Sequence, residues 1–180
     1  MKRDTSAKIA LSGIFGALAI TVMLMGSIIP FSSFAAPALA GILIVPVAIE
    51  FGTSTGVLLY VAISILALFI APDKEMAMMF VFFMGYYPLL KAMLDKVHMK
   101  VLQLLLKSLV FNVAVIAMYG ILIFLFRVDY IVAEFGQSGT FFLILLLLLG
   151  NVTFVIYDVA LTRTHALYLE KIRPRFIKMH

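Results

Sequence analysis

The chain has 180 residues, 64% of them hydrophobic and only 13% charged, with a mean hydropathy of +1.17. Soluble domains average roughly 45–50% apolar and about 25% charged residues, so this composition excludes a water-soluble fold and requires a bilayer as solvent. The net charge of +5 gathers at one set of helix ends instead of forming a nucleic-acid patch, and the lack of cysteine excludes disulfides, thiolate metal sites and cysteine nucleophiles.

Long continuous apolar runs point to helices, not to the alternating strands of a membrane barrel. The predicted fold is all-α: a single domain, 1–180, of six transmembrane helices with both termini inside. The first span covers 5–29, after the basic start Met1-Lys2-Arg3-Asp4. With Ala38-Leu39-Ala40 this has the outline of a signal peptide. The apolar run exceeds the usual 7–15 residues of such a segment, so the span is retained. Pro30 ends it, and an uncharged loop carries Phe31 and Phe34. Span 2 covers 37–50, opens on Pro37 and should kink at Pro46. The turn at Gly52 to Gly56 leads to span 3 over 55–70, stopped by Ala71-Pro72.

Span 4 lies between the charges Asp73, Lys74 and Glu75 and the basic interfacial cluster Lys91, Lys96, His98 and Lys100, with Asp95 among them. Tyr86 and Tyr87 suit an interfacial belt, and Pro88 a bend. Span 5 covers 101–126, and span 6 covers 140–164, before a basic tail from Lys171 to Lys178. With both termini inside, twelve Lys/Arg fall on the inner side and only Lys74 and Arg127 on the outer. Short-loop Lys/Arg bias sets orientation, which predicts a multi-pass protein of a prokaryotic plasma membrane.

Ionisable groups inside spans are functional candidates because hydrocarbon penalises them. Asp158 in span 6 and Lys107 in span 5 each stand about two turns from the inner end of their span, so they are expected to face each other as a structural ion pair. Ser108, Asn112 and Tyr119 are spaced by four and seven residues, as on one helical face, and Asn151 and Asp158 are seven apart. Such stripes either line a cavity or hold helices together by hydrogen bonds. Gly13 and Ala17 form a small-xxx-small pair that favours close helix approach. Enzyme motifs are missing, no metal cluster is visible and no cofactor is implied, so the chain is read as a non-enzyme.

The basic start, the stripe Ser12-Gly13-Ile14-Phe15-Gly16-Ala17-Leu18-Ala19, the Pro-bearing loop and Pro37-Ala38-Leu39-Ala40-Gly41-Ile42-Leu43 resemble the substrate-binding S-component of an energy-coupling factor (ECF) transporter. That resemblance implies capture of a vitamin or related small solute from outside. It implies as partners a transmembrane coupling protein and two ATPase subunits, with Gly13 and Ala17 docking the coupling protein. An outer solute site would draw on Asn112, Tyr119 and Asn151, and on Arg127, Tyr130, Glu134 and Gln137 in the loop above. Phe31 and Phe34 would serve as a lid. Arg127 suits an anionic group and Glu134 a cationic one. The competing expectation is a non-transporting scaffold of the cell-envelope machinery resembling the rod-shape protein MreD, which needs no cavity.

Overall fold

The computed structural model describes residues 2–29, 32–125 and 140–174, all in helices and short connections with no strand among them. In chain order the helices are α1 Lys2–Gly26, α2 Ala35–Ile42, α3 Ile44–Phe51, α4 Thr53–Ile70, α5 Lys74–Met79, α6 Tyr87–Leu94, α7 Lys100–Leu125 and α8 Thr140–Leu167. A π turn at Phe80–Met84 follows α5, and another at Tyr168–Ile172 follows α8. Among the described residues, five stretches are long and apolar enough to cross a bilayer: Thr5–Gly26, Thr53–Ile70, Lys74–Leu94, Lys100–Leu122 and Leu147–Ile172.

The segment expected as span 2 differs. Ala35–Phe51 is shorter than the other five and is divided at Leu43 into α2 and α3. The break precedes Pro46 by three residues. A proline ring clashes with the carbonyl four residues earlier, here Ile42, so the helix yields in the preceding turn. The last helix also runs past its expected end at 164, through the π turn to Ile172.

The segment expected as one bent span 4 contains a longer irregularity. Gly85 donates its N–H to the Phe80 carbonyl five residues back, at 2.8 Å, and so bypasses the Val81 carbonyl. Pro88 has no N–H to offer the Met84 carbonyl. In hydrocarbon such orphaned acceptors need other donors. Tyr60 of α4 donates its hydroxyl to Val81 at 2.7 Å, and Tyr157 of α8 donates to Met84 at 2.8 Å. Two tyrosines from different helices thereby hold the π segment in place. Gly41 of α2 passes the same point. A Cβ there would lie 2.1 Å from the Met84 carbonyl oxygen and 2.5 Å from the Tyr157 hydroxyl.

One apolar cluster joins α1, α2, α3, α4 and α5 through Ala19, Met23, Ala40, Ile44, Ile63 and Met76, all buried. A second is aromatic. The Phe83 ring lies 4.7 Å from Tyr87 and 5.0 Å from Phe111, and Phe111 stacks on Phe154 at 5.1 Å. Offset and edge-to-face rings add about 0.5–1.5 kcal/mol per pair beyond their buried area. This layer joins α6, α7 and α8 across the middle of the bundle.

The connections sort into two ends. Ser33 donates to Asp73 at 3.0 Å, bringing together the starts of α2 and α5. Asp73 also caps α5, accepting from the Met76 N–H at 3.0 Å, and Lys74 donates to the carbonyls of Leu68 in the last turn of α4 and of Ala71 just beyond it, each at 2.9 Å. Ser32 donates to the carbonyls of Gly26 and Ile29, closing the end of α1. At the opposite, basic end Arg173 lies 3.3 Å from Glu50, which also accepts from Tyr168 at 3.1 Å.

Gly41→Ala should destabilise the fold by about 1–3 kcal/mol, the usual cost of overpacking. Gly13→Ala should not, since nothing lies within 4 Å of a Cβ at that position. Thermal unfolding of both variants in mild detergent checks the contrast.

Candidate functional site

Two features stand out in the half of the bundle built from α6, α7 and α8. The first is a charge network at the basic end. Asp158 of α8 accepts from Tyr87 at 2.6 Å and from Lys91 at 2.7 Å, both on α6. Lys107 of α7 lies 3.2 Å from each of its oxygens. Lys107 also meets Asp95 at 2.6 Å, and Lys91 meets Asp95 at 3.4 Å. Gln103 donates to Asp95 at 2.6 Å. Both lysines are buried, and two cations face two carboxylates.

The helix periodicity explains the assembly. Tyr87 and Lys91 on α6 and Asp95 at its C-terminal cap are spaced by four, and Gln103 and Lys107 by four on α7, so each helix presents one face. The Lys107–Asp158 contact forms even though Asp158 is about four turns from the end of the π turn at Ile172, twice the expected depth. The far end of α8 projects past the network and is held instead by Glu50. Lys91, Asp95, Tyr87 and Gln103 are the members that sequence reading missed. Their fourfold spacing was the available signal, but Lys91 and Asp95 read as ordinary interfacial charge.

The second feature is a cavity of about 510 Å³ between α7 and α8, towards the end that carries Asp73 to Glu75. Phe111, Val115, Ile116 and Tyr119 line it from α7. Leu147, Leu149, Gly150 and Thr153 line it from α8. Met79, Met84 and Phe34 complete it. The aromatic layer that includes Phe111 separates it from the charge network.

The residues expected to form a solute site divide among these features. Tyr119 and Phe34 line the cavity. Asn112 and Asn151 do not. Their amides bond each other reciprocally, each contact at 3.1 Å, and their NH₂ groups also reach the Ser108 carbonyl at 2.8 Å and the Leu147 carbonyl at 2.9 Å. They fasten α7 to α8 beside the cavity. Tyr119 donates its hydroxyl proton to Glu75 at 2.6 Å, so the expected polar face of span 5 splits between two partners. Phe31, Arg127, Tyr130, Glu134 and Gln137 lie outside the described residues. On α1, Gly13 and Ala17 are exposed on the outer face, whereas Gly16 packs against Leu59 of α4 and Ala19 is fully buried.

Among the described residues no group of three or more His, Cys, Asp or Glu is placed to hold a metal ion. No protein-family model matches the chain, and neither a curated protein nor a solved structure is significantly similar to it.

The network makes a quantitative prediction. Asp158→Asn leaves two buried cations facing one carboxylate and should cost most, towards about 3–5 kcal/mol. Lys107→Met alone should cost less, because Asp158 keeps Lys91 and Tyr87. The double variant restores charge balance, so its loss should fall short of the sum of the singles by about 0.5–3 kcal/mol. Denaturation of the four proteins in one detergent measures the coupling, and strict additivity would contradict a shared network.

Proposed function

We propose that the chain is the membrane-embedded, solute-binding subunit of an ATP-driven uptake transporter of the ECF type. The observation that carries this reading is the cavity between α7 and α8. Its volume of about 510 Å³ falls in the range of small-molecule sites, roughly 300–1,000 Å³, and its apolar walls are typical of them. In the proposed topology of six membrane-embedded segments with both termini cytoplasmic, the short α2–α3 pair is the sixth segment. The cavity then lies in the outer half of the bundle, where a solute would arrive. The Gly13–Ala17 face of α1 points away from the bundle, which suits close approach by a helix of a transmembrane coupling protein. That protein and two ATPase subunits are the proposed partners, because the chain carries no nucleotide-binding motif of its own.

A second reading is a non-transporting scaffold resembling MreD. The closed Asn112–Asn151 pair favours it, since those amides bind each other and not a solute.

Two experiments test the proposal. Cysteines replacing Ser33 and Lys74 should react with an impermeant reagent in intact cells, and one replacing Lys96 should not; reaction at Lys96 alone would invert the topology. Affinity purification in mild detergent should recover an ATPase module. Gly13→Leu combined with Ala17→Leu should detach that module while the isolated chain still folds. Failure to recover any ATPase would favour the scaffold.

A further inference from the structure

The walls of the cavity define the chemistry of its occupant and the direction from which that occupant enters. Among the described residues that line it, no side chain is a Lys, Arg, His, Asp or Glu. The hydroxyls among these residues are those of Tyr119 and Thr153, and both protons are committed. Tyr119 donates to Glu75, and Thr153 donates to the Leu149 carbonyl at 3.0 Å. The remaining polar atoms on the described lining side chains are methionine sulfurs, which are weak acceptors. The described lining side chains therefore offer no cation and no spare hydrogen-bond donor, the two things an anion needs to leave water.

The second observation is the gradient of exposure across the cavity. Met79, Met84 and Phe111 at its back are 3%, 2% and 5% exposed. Ile116, Leu147 and Leu149 at its front are 65%, 47% and 51% exposed. All three front residues lie within the stretches of α7 and α8 that are apolar enough to cross the bilayer. The opening thus faces hydrocarbon, sideways between two helices. A molecule taking that route dissolves in the membrane first, and a charged one pays heavily for doing so.

We infer that this cavity takes an uncharged, membrane-soluble solute with a mainly apolar body, such as an isoprenoid alcohol, and admits it laterally from the bilayer. The inference rests on the cavity being the solute site of the proposed binding subunit, and it narrows the solute class. Methionines 79 and 84 suit an apolar guest of irregular shape, because the unbranched thioether adapts its rotamers.

The test uses the full chain in nanodiscs of phosphatidylethanolamine and phosphatidylglycerol, with two matched probes, radiolabelled geraniol and geranyl phosphate. Geraniol should bind saturably. Geranyl phosphate, with the same body and an added anion, should bind at least about tenfold more weakly, a difference of about 1.4 kcal/mol. Val115→Phe and Gly150→Leu each fill the cavity from a different helix, so either folded variant should abolish saturable geraniol binding. Equal or tighter binding of geranyl phosphate, removed by the filling variants, would overturn the solute class and leave the binding-subunit reading standing. Geraniol uptake that never saturates and ignores both variants would overturn the inference, assigning the cavity to bulk acyl chains. Recovery of an ATPase module tests the proposed role independently of either result.

Discussion

A carboxylate in a helix apolar enough to cross a membrane must be answered at close range, and the arrangement of α6, α7 and α8 follows from how Asp158 is answered. Insertion scales place an Asp at the centre of a spanning helix at about +2.5–3.5 kcal/mol. Two lysines and a tyrosine from two other helices surround this one, and Asp95 completes a neutral set of charges. Each member constrains a helix. Tyr87 and Lys91 fix the rotation of α6, Lys107 that of α7, and Asp158 the height of α8. A simple Lys107–Asp158 pair would leave α6 unconstrained, and α6 is the short helix that a π turn has cut loose from α5.

The same economy of polar groups operates where the backbone is irregular. Pro46 and Pro88 each break a helix, and α2 and the π turn meet at Gly41 and Met84. Tyr157 supplies the hydrogen bond that Pro88 removes, while Gly41 supplies the room for it. Tyr157 and Asp158 are adjacent on α8, so consecutive residues secure the backbone of the π segment and the charges of the helix after it. The cavity sits on the other side of the aromatic layer, bounded by helices whose spacing the network and the Asn112–Asn151 pair maintain. A mainly apolar cavity fits this arrangement: Asn112, Asn151, Tyr119 and Thr153 nearby are engaged with other side chains or with backbone.

Much of the fold was legible in the chain itself. Composition points to a membrane, and the apolar runs place four of the five long helices within a few residues of their ends, while the last continues past its expected end at 164 to Ile172. Ionisable residues within runs pointed to Lys107 and Asp158, and the structure brings them to 3.2 Å. Interruptions were harder to place. Pro46 signalled a disturbance, but its effect appears at Leu43, because a proline acts on the turn before it. Nothing local marked Phe80–Met84 as a π turn, since its irregular bonds depend on hydroxyls that arrive from α4 and α8.

The candidate site was less legible for a related reason. Helical spacing showed that Asn112 and Tyr119 share a face, but not what each would meet. Asn112 found an identical group on α8, while Tyr119 found Glu75 at the start of α5. Lys91 and Asp95 looked like ordinary interfacial charge until α8 brought a carboxylate to them. By itself, the sequence determined the helical class and the approximate extent of the long apolar helices, because these depend on the polarity and periodicity of contiguous residues. Only the tertiary structure decided which polar groups satisfy one another and where a cavity remains. Those outcomes depend on the relative height and rotation of helices distant in the chain, which no local pattern encodes.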